Sequence, residues 1–109
     1  MTIGFELDGR PFVGLNGGPI FRFNEAVSFQ VFCETQERID YFWEKLSVGG
    51  REMQCGWLKD RYGLSWQVVP IMLPQLMTGP DPERVKRATE AMFTMSRLDI
   101  AALQKAYDG

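Results

Sequence analysis

Residues 54–70 read Gln54-Cys55-Gly56-Trp57-Leu58-Lys59-Asp60-Arg61-Tyr62-Gly63-Leu64-Ser65-Trp66-Gln67-Val68-Val69-Pro70, and their pattern decides the fold. Aromatic and aliphatic residues flank a polar cluster, Lys59-Asp60-Arg61-Tyr62-Gly63, whose Asp and Gly are turn formers. The reading is a strand over Arg51–Leu58, a turn at 59–63 in which Asp60 caps the backbone, and a second strand over Leu64–Val69. Pro70 ends that strand because it has no N–H for a ladder.

Working back along the chain, Gly49-Gly50 stops a helix, since glycine takes the left-handed C′ conformation without a Cβ penalty. The helix itself has Thr35 as N-cap, Glu37 in its first turn, and Ile39, Phe42, Trp43 and Leu46 as an apolar stripe. Before it, Val27–Cys33 has the composition of a strand. Its alternation puts Phe29, Val31 and Cys33 on one face and Ser28, Gln30 and Phe32 on the other. Ile3–Leu7 and Arg10–Leu15 form a hairpin about Asp8-Gly9, a pair suited to a type I′ turn. Asn16-Gly17-Gly18-Pro19 closes it as a loop.

Working forward, Ile71–Pro80 reads as a proline-flanked apolar connector. Asp81 caps a helix with Pro82 at its first position and Val85, Ala88, Met92 and Met95 as its stripe. Asp99 caps a last helix, Ile100–Tyr107. The order is β-β, then β-α-β-β, then helices. It predicts an α+β domain with helices on one face of a mostly antiparallel, curved sheet. Residues 1–109 are read as one domain, of which 71–109 form a helical C-terminal extension.

Composition removes several function classes. The net charge is −2 and Lys and Arg are scattered, so no nucleic-acid partner is expected. No apolar run reaches membrane-spanning length and no signal-like segment follows Met1, so no membrane partner is expected and the location is read as cytoplasmic. Cys33 and Cys55 lie in strand-like stretches and are read as reduced core thiols, with a disulfide or reactive thiol as the alternative. The chain contains no histidine, the commonest metal ligand and general base.

Several runs carry a resemblance: Trp43…Leu46, Gly49-Gly50, Cys55-Gly56-Trp57-Leu58-Lys59-Asp60 and Tyr62-Gly63-Leu64-Ser65-Trp66-Gln67. So do Phe5-Glu6-Leu7-Asp8-Gly9, Leu15-Asn16-Gly17-Gly18-Pro19, and Met95…Leu98-Asp99-Ile100-Ala101-Ala102-Leu103. Together they resemble the PhnB-like family of the glyoxalase/bleomycin-resistance (vicinal-oxygen-chelate) fold, which is labelled 3-demethylubiquinone-9 3-methyltransferase. The resemblance implies βαβββ modules. It also implies that a strand–helix–strand segment of the first module would precede the hairpin. Without that segment a sheet edge and an apolar face are left open. A homodimer with shared or swapped sheet elements would cover them; a shortened chain start accounts for the same pattern.

In metal-dependent members of this superfamily the ligands sit on inward-facing strands, and by motif alignment Ser28 and Gln67 fall at two such places, with Val13 at a third. Hydroxyl and amide oxygens are poor ligands for a divalent ion, so neither a metal nor another cofactor is expected. Ser28, Gln30 and Gln67 become candidates for lining a ligand pocket, although Gln67 could equally satisfy backbone groups. Trp57 and Trp66 could stack on a ligand or belong to the core, and Asn16 could touch a ligand or simply form its turn. No catalytic residue is identified. Gly17-Gly18 precedes Pro19 and Gly49-Gly50 ends a helix, so neither opens a Rossmann-type cofactor site. The leading expectation is a protein that binds a small organic ligand in a cleft between sheet modules without a catalytic metal. An enzyme of the vicinal-oxygen-chelate type with an unidentified substrate is the second, and a non-catalytic interaction subunit the third.

Overall fold

The computed structural model describes residues 1–109. The hairpin forms as the Asp-Gly pair dictates: β1 (Thr2–Leu7) runs antiparallel to β2 (Arg10–Leu15), with Asp8 and Gly9 at φ 52° and 76°. Both central residues at positive φ define the type I′ turn, whose twist matches that of the strands. These two strands make a sheet of their own.

The second sheet holds four strands in the order β3 (Ser28–Cys33), β6 (Ser65–Pro70), β5 (Trp57–Lys59), β4 (Arg51–Glu52). β3 and β6 are parallel and the other neighbours antiparallel. The parallel pair requires a crossover, and α1 (Gln36–Ser47) is part of it. The unit β3–α1–β4–β5–β6 is thus one complete βαβββ module with an open sheet. Thr35 caps α1 by accepting from Arg38 N at 3.2 Å, and Gly49 follows it at φ 76°.

One side of this sheet packs on α1. Cys33, Ile39, Trp43, Leu58 and Val68 form the core there, flanked by Val31 and Trp66. The Trp43 indole donates to the Glu52 carboxylate, which turns Glu52 toward the helix side of the sheet. A second core, Val69, Leu76, Leu98 and Leu103, lies under the C-terminal helices α2 (Leu73–Met77), α3 (Pro82–Phe93) and α4 (Ile100–Asp108). Gln36 joins the two cores: its amide donates to Leu98 O at 3.0 Å and accepts from Ile100 N at 2.8 Å. Asp81 and Asp99 cap α3 and α4 as expected.

Two elements differ from the sequence reading. The strand expected over Arg51–Leu58 is broken into β4 and β5 by a turn at Gln54–Gly56. Cys55 and Gly56 there adopt φ 61° and 82°, and their amides donate to Met95 O and Ser96 O instead of to the sheet. Cys55 therefore occupies a turn tied to the C-terminal segment and not a strand. The connector Ile71–Pro80 contains α2, which Pro74 starts and which buries Leu76 in the second core.

No helix is long and apolar enough to cross a membrane. The molecule is 54 Å long and 26 by 24 Å across, with a radius of gyration of 16.3 Å. A compact chain of about this length would have a radius near 13 Å. The excess lies with the N-terminal part: no residue before Cys33 is buried, and Ile3, Phe5, Leu7, Val13, Leu15, Phe21 and Phe23 are all exposed.

Candidate functional site

Strand alternation separates the second sheet into two faces, and the register fixes what each carries. Leu58, Trp66, Val68 and Cys33 point to α1. The opposite face is crossed by two rows of paired residues. Arg51 pairs with Lys59, Lys59 with Ser65, and Ser65 with Ser28, so one row runs Arg51–Lys59–Ser65–Ser28 across all four strands. The next row runs Trp57–Gln67–Gln30.

Hydrogen bonds knit the rows together. Gln67 Nε2 donates to Ser28 Oγ at 2.9 Å, and Gln30 Nε2 donates to Gln67 Oε1 at 3.4 Å. Gln67 therefore spends its side chain on neighbouring side chains and not on backbone groups. Lys59 forms an ion pair with Glu25 of the loop before β3. The Lys59 hydrogen bond and charge hold the Glu25 carboxyl below the usual carboxylate range. The Ser65 hydroxyl is fully buried and finds no partner, an exception to the rule that buried polar groups are paired.

Of the residues singled out from sequence, Ser28, Gln30, Trp57 and Gln67 come together on this face. Trp66 does not join them. It lies on the helix side, edge-on to Phe29 at 5.5 Å between ring centroids, with its indole donating to Asp60 Oδ2 at 2.9 Å. Asp60 Oδ1 accepts from Tyr62 N and Leu64 N at 2.9 and 3.1 Å, so Asp60 caps its turn and anchors Trp66 at once. Asn16 is exposed at the end of β2, where its backbone N–H donates to Met1 O. Sequence reasoning missed Arg51, Lys59, Ser65 and Glu25. The alternation Ser65-Trp66-Gln67 could have placed Ser65 beside Gln67, but a strand drawn to end at Leu58 left Lys59 in the turn.

The donor set bears on the metal chemistry of the wider superfamily. Ser28, Gln30 and Gln67 offer neutral oxygens and nitrogens, and no three His, Cys, Asp or Glu side chains converge on one point. Such a set does not fit a catalytic divalent ion, which favours imidazole, thiolate or carboxylate. Two hollows lie elsewhere. One of about 550 Å³, walled by Phe5, Leu7, Phe12, Phe23, Phe29 and Leu64, separates the hairpin from the module. Another of about 440 Å³ lies between Phe21, Phe23 and Tyr62. Neither is lined by Ser28, Gln30, Trp57 or Gln67.

Comparison with known proteins places this geometry. A family model described as 3-demethylubiquinone-9 3-methyltransferase matches residues 1–69, the hairpin and nearly the whole βαβββ module. A solved structure from Bacillus cereus, provisionally named a 3-demethylubiquinone-9 3-methyltransferase, PhnB protein, is 33% identical with a TM-score of 0.58. The match covers 64% of this chain and 64% of that one, so this chain spans less than two thirds of the length of that relative. No curated protein matches the chain. The family match over most of the chain, the βαβββ module and the solved relative agree: the chain belongs to the 3-demethylubiquinone-9 3-methyltransferase family, PhnB-like proteins of the glyoxalase fold.

Proposed function

We propose that this protein binds a small organic ligand on the polar face of the βαβββ sheet, in a cleft completed by a second copy of the chain, without a catalytic metal. The observation that carries this reading is the Ser28–Gln67–Gln30 network with Trp57 beside it. Neutral hydrogen-bonding groups next to one aromatic, on the face opposite α1, are the usual means of orienting an organic molecule. The same donor set supports the metal-free part of the reading.

Ser28, Gln30, Trp57 and Gln67 keep part of their surface exposed, so a cleft over them needs a second wall. The exposed hairpin supports a homodimer as its source. A two-stranded hairpin is marginal alone in water, and an apolar surface such as Ile3, Phe5, Leu7, Val13 and Leu15 is stabilised when covered. The single-domain reading, with 71–109 as its helical extension, rests on Gln36 and on the Cys55 and Gly56 amides, which bind the C-terminal helices to the module. A cytoplasmic location suits two free thiols, one of them buried.

The reaction in the family's name is not part of this reading. A methyl-donor site of the Rossmann type opens a helix after a strand with a glycine-rich turn. Gly49-Gly50 instead leaves a helix and leads into β4.

Three measurements test the proposal. In a thermal-shift screen with quinones, small acids and antibiotics, at least one class raises the melting temperature of the wild type; no shift across all classes overturns the binding reading. Native mass spectrometry with elemental analysis finds no stoichiometric ion, and nickel, manganese, zinc and iron add no thermal stability; an equimolar stabilising ion refutes the metal-free reading. Gel filtration at micromolar concentration gives a dimer, and a well-folded monomer removes the second wall.

A further inference from the structure

The first row on the polar face, Arg51–Lys59–Ser65–Ser28, meets the neutral network that orients a ligand only at Ser28, which accepts from Gln67. It holds two cations and two hydroxyls in line across four strands. Nearby carboxylates other than Glu25 are already committed on other sides. Asp60 is held by two turn amides and the Trp66 indole, and Glu52 by the Trp43 indole. Glu25 alone, carried by the loop before β3, meets Lys59. The Ser65 hydroxyl between Lys59 and Ser28 is fully buried with no partner. A donor left unpaired in the interior is costly; Ser65 is the cross-strand neighbour of Lys59, and the Glu25 carboxylate held by Lys59 leaves it unsatisfied.

We infer that Lys59 and Ser65 form a carboxylate-binding subsite of the ligand cleft, and that Glu25, which takes up Lys59 without reaching Ser65, is displaced when a ligand carboxylate binds. The inference rests on the proposed cleft and specifies its ligand as an organic carboxylate. An ammonium with an unpaired hydroxyl donor beside it matches a carboxylate through charge-assisted hydrogen bonds, and Arg51 adds a second positive charge at the end of the row. A carboxylate from the chain's own loop already reaches the Lys59 ammonium, so that end of the subsite is open to one. Trp57 and Gln67, one row along, would then meet the organic body of the ligand. Because Glu25 competes for Lys59, apparent affinity is lowered by the fraction of molecules in which the loop occupies the site.

The test uses the full-length chain, with benzoate and its neutral isostere benzamide as probes in amide and indole NMR titrations. Benzoate moves the resonances of Ser28, Lys59, Ser65 and the Trp57 indole. Glu25→Gln tightens benzoate binding about tenfold and leaves benzamide binding unchanged, while Lys59→Met removes the preference for benzoate. Glu25 is exposed, so Glu25→Gln keeps the wild-type spectral dispersion. If benzoate and benzamide bind alike, or Glu25→Gln strengthens both equally, the carboxylate subsite is refuted while the cleft stands. If neither probe moves Trp57 or Gln67, the cleft and the subsite fall together.

Discussion

Replacing Asp60 tests whether Trp66 serves the fold and not a ligand. The Asp60 carboxylate accepts three hydrogen bonds, from Tyr62 N at 2.9 Å, Leu64 N at 3.1 Å and Trp66 Nε1 at 2.9 Å. In Asp60→Ala the exposed Tyr62 amide turns to water at little cost. The half-buried Leu64 amide and the half-buried indole lose a charged acceptor, each worth about 1 kcal/mol or somewhat more. The expected loss is about 2–3 kcal/mol, a large share of the ~5–15 kcal/mol typical of a domain. In a chain of this size it lowers the melting temperature by roughly 10 °C or more. Trp66→Phe keeps the edge contact with Phe29 but loses the indole donor, and is expected to cost about 1 kcal/mol. Urea denaturation of both single variants and the double variant gives their coupling energy, expected near 1 kcal/mol because the two share one bond. Strictly additive single effects, or a loss under about 0.5 kcal/mol in Asp60→Ala, would show that the Asp60–Trp66 contact does not hold the β5–β6 turn.

Other positions give sharper or simpler outcomes. A Cβ on Gly50 would overlap Lys59 O and lie under 3 Å from the Asp60 backbone, so Gly50→Ala is expected to lose the folded state, seen as a collapse of soluble yield and of near-UV circular dichroism. Leu58 is fully buried, and Leu58→Ala should cost about 2–5 kcal/mol by chemical denaturation. Ile3→Glu on the exposed hairpin should leave the melting of the βαβββ module unchanged and convert the proposed dimer to monomer in sedimentation velocity. Burial raises the Cys33 thiol above its ordinary 9.0, with Arg38 opposing. A raised folded value means the contribution is full below pH 9.0 and is lost as pH rises through the folded value. Stability should fall in that alkaline range, a fall that Cys33→Ala lacks, and native-state alkylation should label Cys55 well before Cys33.

Much of the fold was legible because its signals are local. Asp8-Gly9 demanded positive φ at two successive residues, and Thr35, Asp81 and Asp99 announced helix starts that the backbone uses. The stripe Ile39, Phe42, Trp43, Leu46 told which side of α1 would be buried. The failures occur where distant segments overrode local preference. Gln54–Gly56 breaks what reads as one strand because Met95 O and Ser96 O, some forty residues on, accept the Cys55 and Gly56 amides. Leu73–Met77 becomes helical in an apolar connector because Leu76 completes a core with Leu98 and Leu103, a partnership that periodicity within the segment cannot reveal.

The site was legible only in part, and the reason is register. Alternation in β3 put Ser28 and Gln30 on one face, but only the parallel pairing with β6 brings Gln67 to them from 39 and 37 residues away. Reading β5 one residue short hid Lys59, and with it the row that Ser65 and Arg51 complete. Trp66 was paired with Trp57 by type, whereas the antiparallel register of β5 and β6 puts Trp57 opposite Gln67 and Leu58 opposite Trp66. That register places one tryptophan on each side of the sheet. Gln30, Gln67 and Trp57 on the polar face stay partly exposed and the hairpin has no cover, although both lie in one chain. A second copy that laid apolar surface over the hairpin and a wall over Gln67 would satisfy both needs with one interface. Ligand affinity would then depend on protein concentration, as expected where a site is completed only by association.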